Sequence, residues 1–169
     1  MVKICAAMMA LALMIGSALA GNPADSKAVR SEDGKFYDKD DTPTYSIQTD
    51  GTIDWFTYSG FRLYHAECHV CHGPEGLGSS YAPALKDSLK TMDYTQFMDV
   101  IINGKQEVNT ATQKVMPAFG LNKVVACHID DLYVYLRARS DDVLPRGRPP
   151  KKEAKNDATR SAEEACMAN

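Results

Sequence analysis

The amino-acid sequence predicts an all-α domain of three main helices, preceded by a short acidic segment with a β-hairpin. Two observations carry this prediction. Apolar residues recur at helical three-and-four spacing in three segments between residues 55 and 144, and a Gly- and Pro-rich stretch separates the first segment from the second. Hydrophobic residues make up 44% of the 169 residues and charged residues 24%, which is the composition of a globular protein. The length suits one domain with extensions at its ends.

The three helices are expected at about residues 56–67, 93–103 and 124–139. Gly60 in the first helix would let another helix approach closely, because it has no side chain. Gly104 follows the second helix where a C-terminal cap belongs. Three helices with long loops between them bury little core, so we expect another group to fill the centre of the domain.

A short hairpin is predicted just before the first helix. A three-residue loop at 49–51 would pair Ile47 with Ile53 and Tyr45 with Trp55, which places the apolar side chains on one face. A lone hairpin is marginally stable in water, so it should pack against the main domain. We expect Trp55 to make that contact.

The first 20 residues have the features of a secretory signal peptide. Lys3 precedes an uncharged run of 17 residues, Ile4 to Ala20, which ends in an A-x-A pattern. These features predict cleavage after Ala20 and export to the periplasm. Retention of the run as a membrane anchor is the alternative, and its length is at the short edge of what spans a bilayer.

Charge divides the rest of the chain into three parts. Residues 21–54 form an acidic extension with a net charge of −4, residues 55–144 form the main domain at −2, and residues 145–169 carry +2. The last part is rich in Pro, Lys and Ala, which favours a flexible tail. No basic stretch of the kind that follows phosphates is present, which argues against a nucleic-acid partner. No second apolar run is long enough to span a membrane.

Residues 68–72 read C-x-x-C-H, the attachment motif of c-type haem. The thiols of Cys68 and Cys71 would add to the haem vinyl groups as thioethers, and two intervening residues place both sulfurs within one helical turn. The imidazole of His72 would then ligate the iron. A redox dithiol, a zinc half-site and a structural disulfide are the rival interpretations. The first normally occurs in a βα setting, and the second needs a further ligand pair that the sequence lacks.

The opposite face of the iron needs a second ligand. Met116 is the best candidate, because Pro117 restricts it to extended geometry and so would hold its side chain on a rigid loop. His128 and an open sixth position are the alternatives. A disulfide between Cys127 and Cys166 is possible in an oxidising compartment.

Several of these features resemble the class I c-type cytochromes: Gly60, Tyr64, residues 68–73, residues 116–117 and residues 131–136. In that family the first and last helices cross at glycine and aromatic positions, and here Leu132 and Leu136 match the last helix. A proline carbonyl after the haem motif usually accepts the N–H of the proximal histidine. Pro83 is similar in placement, and the resemblance implies that it orients the ring of His72.

A narrower set of stretches resembles the methanol-metabolism-related c-type cytochromes: residues 33–37, 43–45, 50–55, 81–85, 131–140 and 146–149. The likeness covers about residues 30–150. It implies a monohaem electron carrier, not an enzyme. It also implies that the carrier accepts electrons from a PQQ-dependent alcohol dehydrogenase, notably a lanthanide-dependent methanol dehydrogenase, and passes them to a downstream cytochrome or oxidase. A haem enzyme or gas sensor with a labile sixth ligand is the competing interpretation.

Overall fold

A computed structural model describes residues 27–108 and 113–168. The predicted signal peptide, residues 1–20, lies outside the described residues. The helices are α1 (Trp55–Leu63), α2 (His69–His72), α3 (Leu85–Ser88), α4 (Tyr94–Asn103), α5 (Lys123–Cys127), α6 (Ile129–Ser140) and α7 (Asp157–Ala168). The strands are β1 (Arg30–Glu32), β2 (Lys35–Tyr37), β3 (Pro43–Thr44), β4 (Lys105–Val108) and β5 (Gln113–Met116). Within these ranges, no helix has the length and apolarity needed to cross a membrane.

The predicted all-α framework is confirmed, with two changes of detail. The first predicted helix is longer than expected, because α1 runs through a π-helical turn at Tyr64–Cys68 directly into α2. The third predicted helix is two helices, α5 and α6, separated at His128, where the backbone leaves helical geometry (φ −126°, ψ 23°). Helix α4 matches its prediction, and Asp93 and Gln96 form a capping box at its start.

Helices α1 and α6 cross where Gly60 was expected to allow close approach. A Cβ atom at Gly60 would lie 1.8 Å from the carbonyl oxygen of Asp131 and 2.8 Å from Cβ of Tyr135. The two helices therefore touch backbone to backbone. The crossing buries side chains from both helices, and the most completely buried include Tyr64, Leu132, Tyr135 and Leu136.

The segment before α1 confirms the predicted hairpin register in part. Ile47 pairs with Ile53 across the loop, and Gly51 adopts a left-handed backbone (φ 82°). The predicted pairing of Tyr45 with Trp55 is wrong, because Trp55 is already the first residue of α1. Asp54 stops the strand there, since its carboxylate accepts the backbone N–H of Thr57 at 2.8 Å and caps the helix.

Trp55 makes the expected contact between this segment and the domain, since it is half-buried, packs against the core and lies 6.0 Å from the ring of Tyr58. Ile53 also contributes, and it is buried more completely than Trp55. Further upstream the sequence did not predict the small antiparallel sheet, ordered β1-β2-β3. This sheet packs against α6 through β3.

Residues 151–168, which belong to the tail predicted to be flexible, make specific contacts with the rest of the chain. The backbone of residues 151–153 adds to the hairpin, with Ile53 N–H donating to Lys151 O and Glu153 N–H donating to Ile53 O. Helix α7 follows, and a disulfide between Cys127 and Cys166 joins it to α5. The tail has the polar composition typical of disordered segments, but contacts with other parts of the chain hold it in place.

Candidate functional site

The C-x-x-C-H motif lies at the end of the long first helix. Cys68 closes the π-helical turn and is buried, whereas Cys71 in α2 is exposed. Both are free thiols, so the motif does not form a disulfide. Burial raises the pKa of the Cys68 thiol to about 12. A redox-active dithiol needs a lowered thiol pKa, so this environment argues against the rival dithiol interpretation.

His72 is buried, and its orientation is fixed by one hydrogen bond. Nδ1 lies 3.0 Å from the carbonyl oxygen of Pro83, so Nδ1 carries the proton when it donates to that oxygen. The Nε2 lone pair of the imidazole is then available to a metal. The sequence had placed Pro83 in this position by resemblance, and the structure brings the two residues together.

The loop after His72 is closed tightly onto the motif. Gly78 N–H donates to His72 O at 2.8 Å, and Ser79 Oγ donates to Cys71 O at 2.5 Å. Gly73 has a left-handed φ of 71°, and a Cβ atom there would lie 2.2 Å from Gly78 O. The loop can therefore fold back only because residue 73 has no side chain.

Tyr64 connects this loop to the helix crossing. Its hydroxyl donates to Gly73 O at 2.5 Å and accepts from Gly76 N–H at 2.9 Å, and its side chain is fully inaccessible to solvent. Because the same tyrosine packs between α1 and α6, the geometry of the loop is coupled to the helix crossing.

Met116 ends strand β5, where the sequence had predicted a loop. It pairs with Lys105 at the base of the β4–β5 hairpin and is half-buried against the hydrophobic core. A Cβ atom at Gly104 would lie 2.6 Å from Met116 O, so the segment leading to Pro117 is held close to the end of α4.

His128, the alternative iron ligand, is already engaged at another place. Its Nδ1 lies 2.8 Å from Val124 O, and its Nε2 lies 3.7 Å from Glu163 in α7. Both ring nitrogens therefore face the C-terminal helix and the end of α5.

The donor set suits covalent haem. Two uncommitted thiols lie one helical turn apart, and a buried imidazole follows at once with its outer nitrogen available. By contrast, the described residues contain no group of three or more His, Cys, Asp or Glu side chains that could hold a metal ion by themselves.

Sequence reasoning missed one charged cluster beside the motif. Glu75 is buried and interacts with Arg139 in α6 and with Arg146 in the segment that follows α6. The sequence does show an ionisable residue, Glu75, three positions after His72. Its partners, Arg139 and Arg146, could not be identified from sequence spacing.

The chain is similar to known c-type cytochromes. A family model described as cytochrome C oxidase, cbb3-type, subunit III matches residues 57–136. Cytochrome c-553I of Paracoccus denitrificans is 52% identical over 158 residues, which is 94% of this chain and 70% of the relative. Cytochrome c-555 of Methylococcus capsulatus is 42% identical over 96 residues, which is 56% of this chain and 72% of the relative.

A solved structure is also similar. The crystal structure of the c-type cytochrome XoxG from Methylobacterium extorquens AM1 superposes with a TM-score of 0.79 at 55% sequence identity. The match covers 84% of this chain and 87% of that one.

Proposed function

This chain belongs to the class I c-type cytochromes, which carry covalently bound haem c, and from that premise we propose that it is a periplasmic one-electron carrier that serves a PQQ-dependent alcohol dehydrogenase. The haem supplies the Fe(II)/Fe(III) couple. Attachment and ligation of the haem depend on residues of this chain.

The orientation of His72 is the observation that carries the proposal. The Nδ1 of the buried imidazole donates to Pro83 O at 3.0 Å. This hydrogen bond selects one tautomer of His72 and fixes the direction in which its Nε2 points. Such backing fixes the ring and increases the basicity of the ligating nitrogen. Cys68 and Cys71 would anchor the haem through thioether bonds, and His72, the next residue, would ligate the iron.

Met116 is our proposed sixth ligand. The engagement of His128 by Val124 O and Glu163 disfavours the competing ligand. With His72 and Met116 as its protein ligands, a bound haem would leave no position open to a substrate and would supply one-electron transfer. A thioether ligand would favour the reduced state more than a second histidine would.

The donor and the compartment are the finer parts of the proposal. The resemblance to methanol-metabolism-related cytochromes supports a PQQ-dependent methanol or alcohol dehydrogenase as donor, and a downstream cytochrome or oxidase as acceptor. The features of residues 1–20 and the disulfide between Cys127 and Cys166 support export to the periplasm.

Covalent attachment is tested by Cys68→Ala and Cys71→Ala, made in a host that matures c-type cytochromes. Each variant should yield little or no protein with two thioether bonds, seen as haem lost on acid–acetone extraction or as a shifted pyridine haemochrome spectrum. Haem that stays attached with an unchanged spectrum in either variant would refute the proposed attachment.

Ligation is tested by Met116→Ala, with Met98→Ala as the matched control because Met98 packs on the core from α4. The Met116 variant should lose the long-wavelength band that reports sulfur bound to Fe(III), and its reduced form should bind carbon monoxide. The control should do neither. Carbon monoxide binding by the unaltered reduced protein would instead favour the gas-sensor or haem-enzyme interpretation.

The donor is tested by mixing the oxidised protein with a purified PQQ-dependent methanol dehydrogenase and methanol. Haem reduction should depend on methanol and saturate with cytochrome concentration, and the rate should vary with salt because charge mainly sets the association rate. Absence of reduction, with normal spectra and normal reduction by dithionite, would remove this donor and leave the electron-carrier assignment intact.

A further inference from the structure

Glu75 is a buried carboxylate three residues after His72, the proposed proximal ligand. Its side chain is 11% exposed, and its backbone has a left-handed φ of 55° although it is not glycine. Its Oε2 accepts from Arg146 Nε at 2.8 Å and its Oε1 accepts from Gly147 N–H at 2.9 Å. A non-glycine residue in this conformation costs free energy, so the surrounding contacts must hold it there.

The backbone around Glu75 is fixed from two further sides. Tyr64 binds both Gly73 O and Gly76 N–H, so the residues on either side of Glu75 cannot move independently. Arg139 Nε lies 3.5 Å from Glu75 O, and the same guanidinium donates to Leu144 O. The backbone of Glu75 is therefore held in place within the loop that follows His72.

The two charges of the ion pair differ in their exposure to water. The Arg146 side chain is 67% exposed, whereas that of Glu75 is 11% exposed. Water screens the exposed charge of Arg146 more strongly than the charge of Glu75, so the carboxylate is the less screened member of the pair. The Arg146 guanidinium also holds the pKa of Glu75 below its ordinary value, against the opposing effect of burial, which keeps the carboxylate ionised at neutral pH.

We propose that the Glu75–Arg146 pair sets the reduction potential of the haem, with Glu75 favouring Fe(III) and Arg146 partly offsetting it. The inference rests on the proposed ligation by His72. The Cα atoms of His72 and Glu75 lie at most about 11 Å apart, because they are separated by three residues along the chain. When the iron accepts one electron from its donor it loses one unit of positive charge, so a nearby fixed negative charge disfavours that step.

The test is a potentiometric titration of the holoprotein with Glu75→Gln, Arg146→Gln and the double variant. The glutamine side chain keeps the shape of Glu75 and one acceptor oxygen for Gly147 N–H but has no charge. We expect the Fe(II)/Fe(III) ratio at fixed ambient potential to rise about three- to tenfold in Glu75→Gln, a shift of roughly +30 to +60 mV at 59 mV per tenfold.

Arg146→Gln should shift the ratio the opposite way and by less, about twofold, because that charge is exposed. The double variant should lie between the two single variants. Glu163→Gln is the matched control, since Glu163 also pairs with a cation of the C-terminal segment, Lys155, but lies beside His128 and not beside the motif. Its potential should equal that of the unaltered protein.

Opposite signs separate an electrostatic role from a merely structural one. Shifts of the same sign in both single variants, or no shift in Glu75→Gln, would overturn the proposal, because a loosened loop would move both variants in one direction. If Glu75→Gln does not accumulate, the sign of the Arg146→Gln shift decides alone.

Failure of the underlying ligation has a different signature. An unaltered protein without the His/Met spectrum would contradict the proposed function and not the role of the ion pair. Hydrogen exchange at the Gly76 and Gly147 amides gives a readout independent of electron transfer. Retained protection in Glu75→Gln together with a raised potential would support the electrostatic role directly.

Discussion

Replacement of Gly60 by alanine tests the helix crossing on which the whole site depends. The backbone of Gly60 is ordinary helix, so alanine alone would favour α1 by about 0.8–1.0 kcal/mol. The added Cβ, however, would lie 1.8 Å from Asp131 O and 2.5 Å from Asp131 C. Both are backbone atoms of α6, so no side-chain rotation can relieve the overlap.

The magnitude follows from the separation that the overlap imposes. Carbon and oxygen come no closer than about 3.3 Å in ordinary contacts, so α1 and α6 must separate by about 1.5 Å at this point. A gap of that size costs the adjoining side chains much of their dispersion energy, and overpacking costs about 1–3 kcal/mol or more. Tyr64, Leu132 and Leu136 are almost inaccessible and would lose these contacts together. We expect a net loss of about 2 kcal/mol or more.

The assay is guanidinium and thermal unfolding of the holoprotein followed by far-UV circular dichroism. For a domain of this size, a loss of about 2 kcal/mol corresponds to a fall in Tm of roughly 4–8 °C. Gly51→Ala is the matched control, because a Cβ atom there meets nothing within 4 Å and the cost is only that of a left-handed alanine, about 1 kcal/mol. A Gly60→Ala protein as stable as the unaltered one, or more stable than Gly51→Ala, would refute the argument.

Two further predictions concern the described structure. Burial raises the pKa of Asp131 to about 7, with a Ser59 hydrogen bond opposing it, so the folded state holds a proton that the unfolded state releases between about pH 4 and pH 7. The free energy of unfolding should therefore fall as pH rises through that window. Urea unfolding at pH 5 and pH 7.5 should show a smaller fall for Asp131→Asn than for the unaltered protein. An equal fall in both proteins would contradict this. Replacing both Cys127 and Cys166 by serine should release α7, because a helix of 12 residues is marginally stable alone. Trypsin should then cleave after Arg160 faster, while the haem spectrum stays unchanged. An unchanged cleavage rate would show that α7 is held without the disulfide.

Local sequence patterns identified most of the parts that define the candidate site. The five residues of the motif, the apolar faces of α1, α4 and α6, and the pairing of Ile47 with Ile53 each depend on neighbours a few positions away. Helical periodicity, strand alternation and turn chemistry act over such distances, so they are legible in the sequence. The role of Gly60 could be predicted for a related reason, because a glycine inside a helical pattern indicates that another helix approaches closely.

Local patterns failed where a helix or strand ended for a tertiary reason. Nothing in the spacing of residues 124–139 indicates that His128 breaks the helix, and the structure shows its ring turned toward α7. Trp55 fits the hairpin pattern but begins α1, because Asp54 uses its carboxylate as the helix cap. In both cases two local preferences were compatible with the sequence, and packing selected one of them.

The sequence by itself therefore determined the chemistry of the site, and the tertiary structure decided what surrounds it. Three features depend on residues far apart in the sequence. The disulfide joins Cys127 and Cys166, 39 residues apart, Glu75 binds Arg146, 71 residues apart, and residues 151–153 bind Ile53. A polar, Lys-rich segment shows the same sequence pattern whether it is disordered in water or held against the rest of the protein. The difference lies in partners that only the folded chain brings within hydrogen-bond distance, because each such contact must offset the entropy of ordering the segment that makes it.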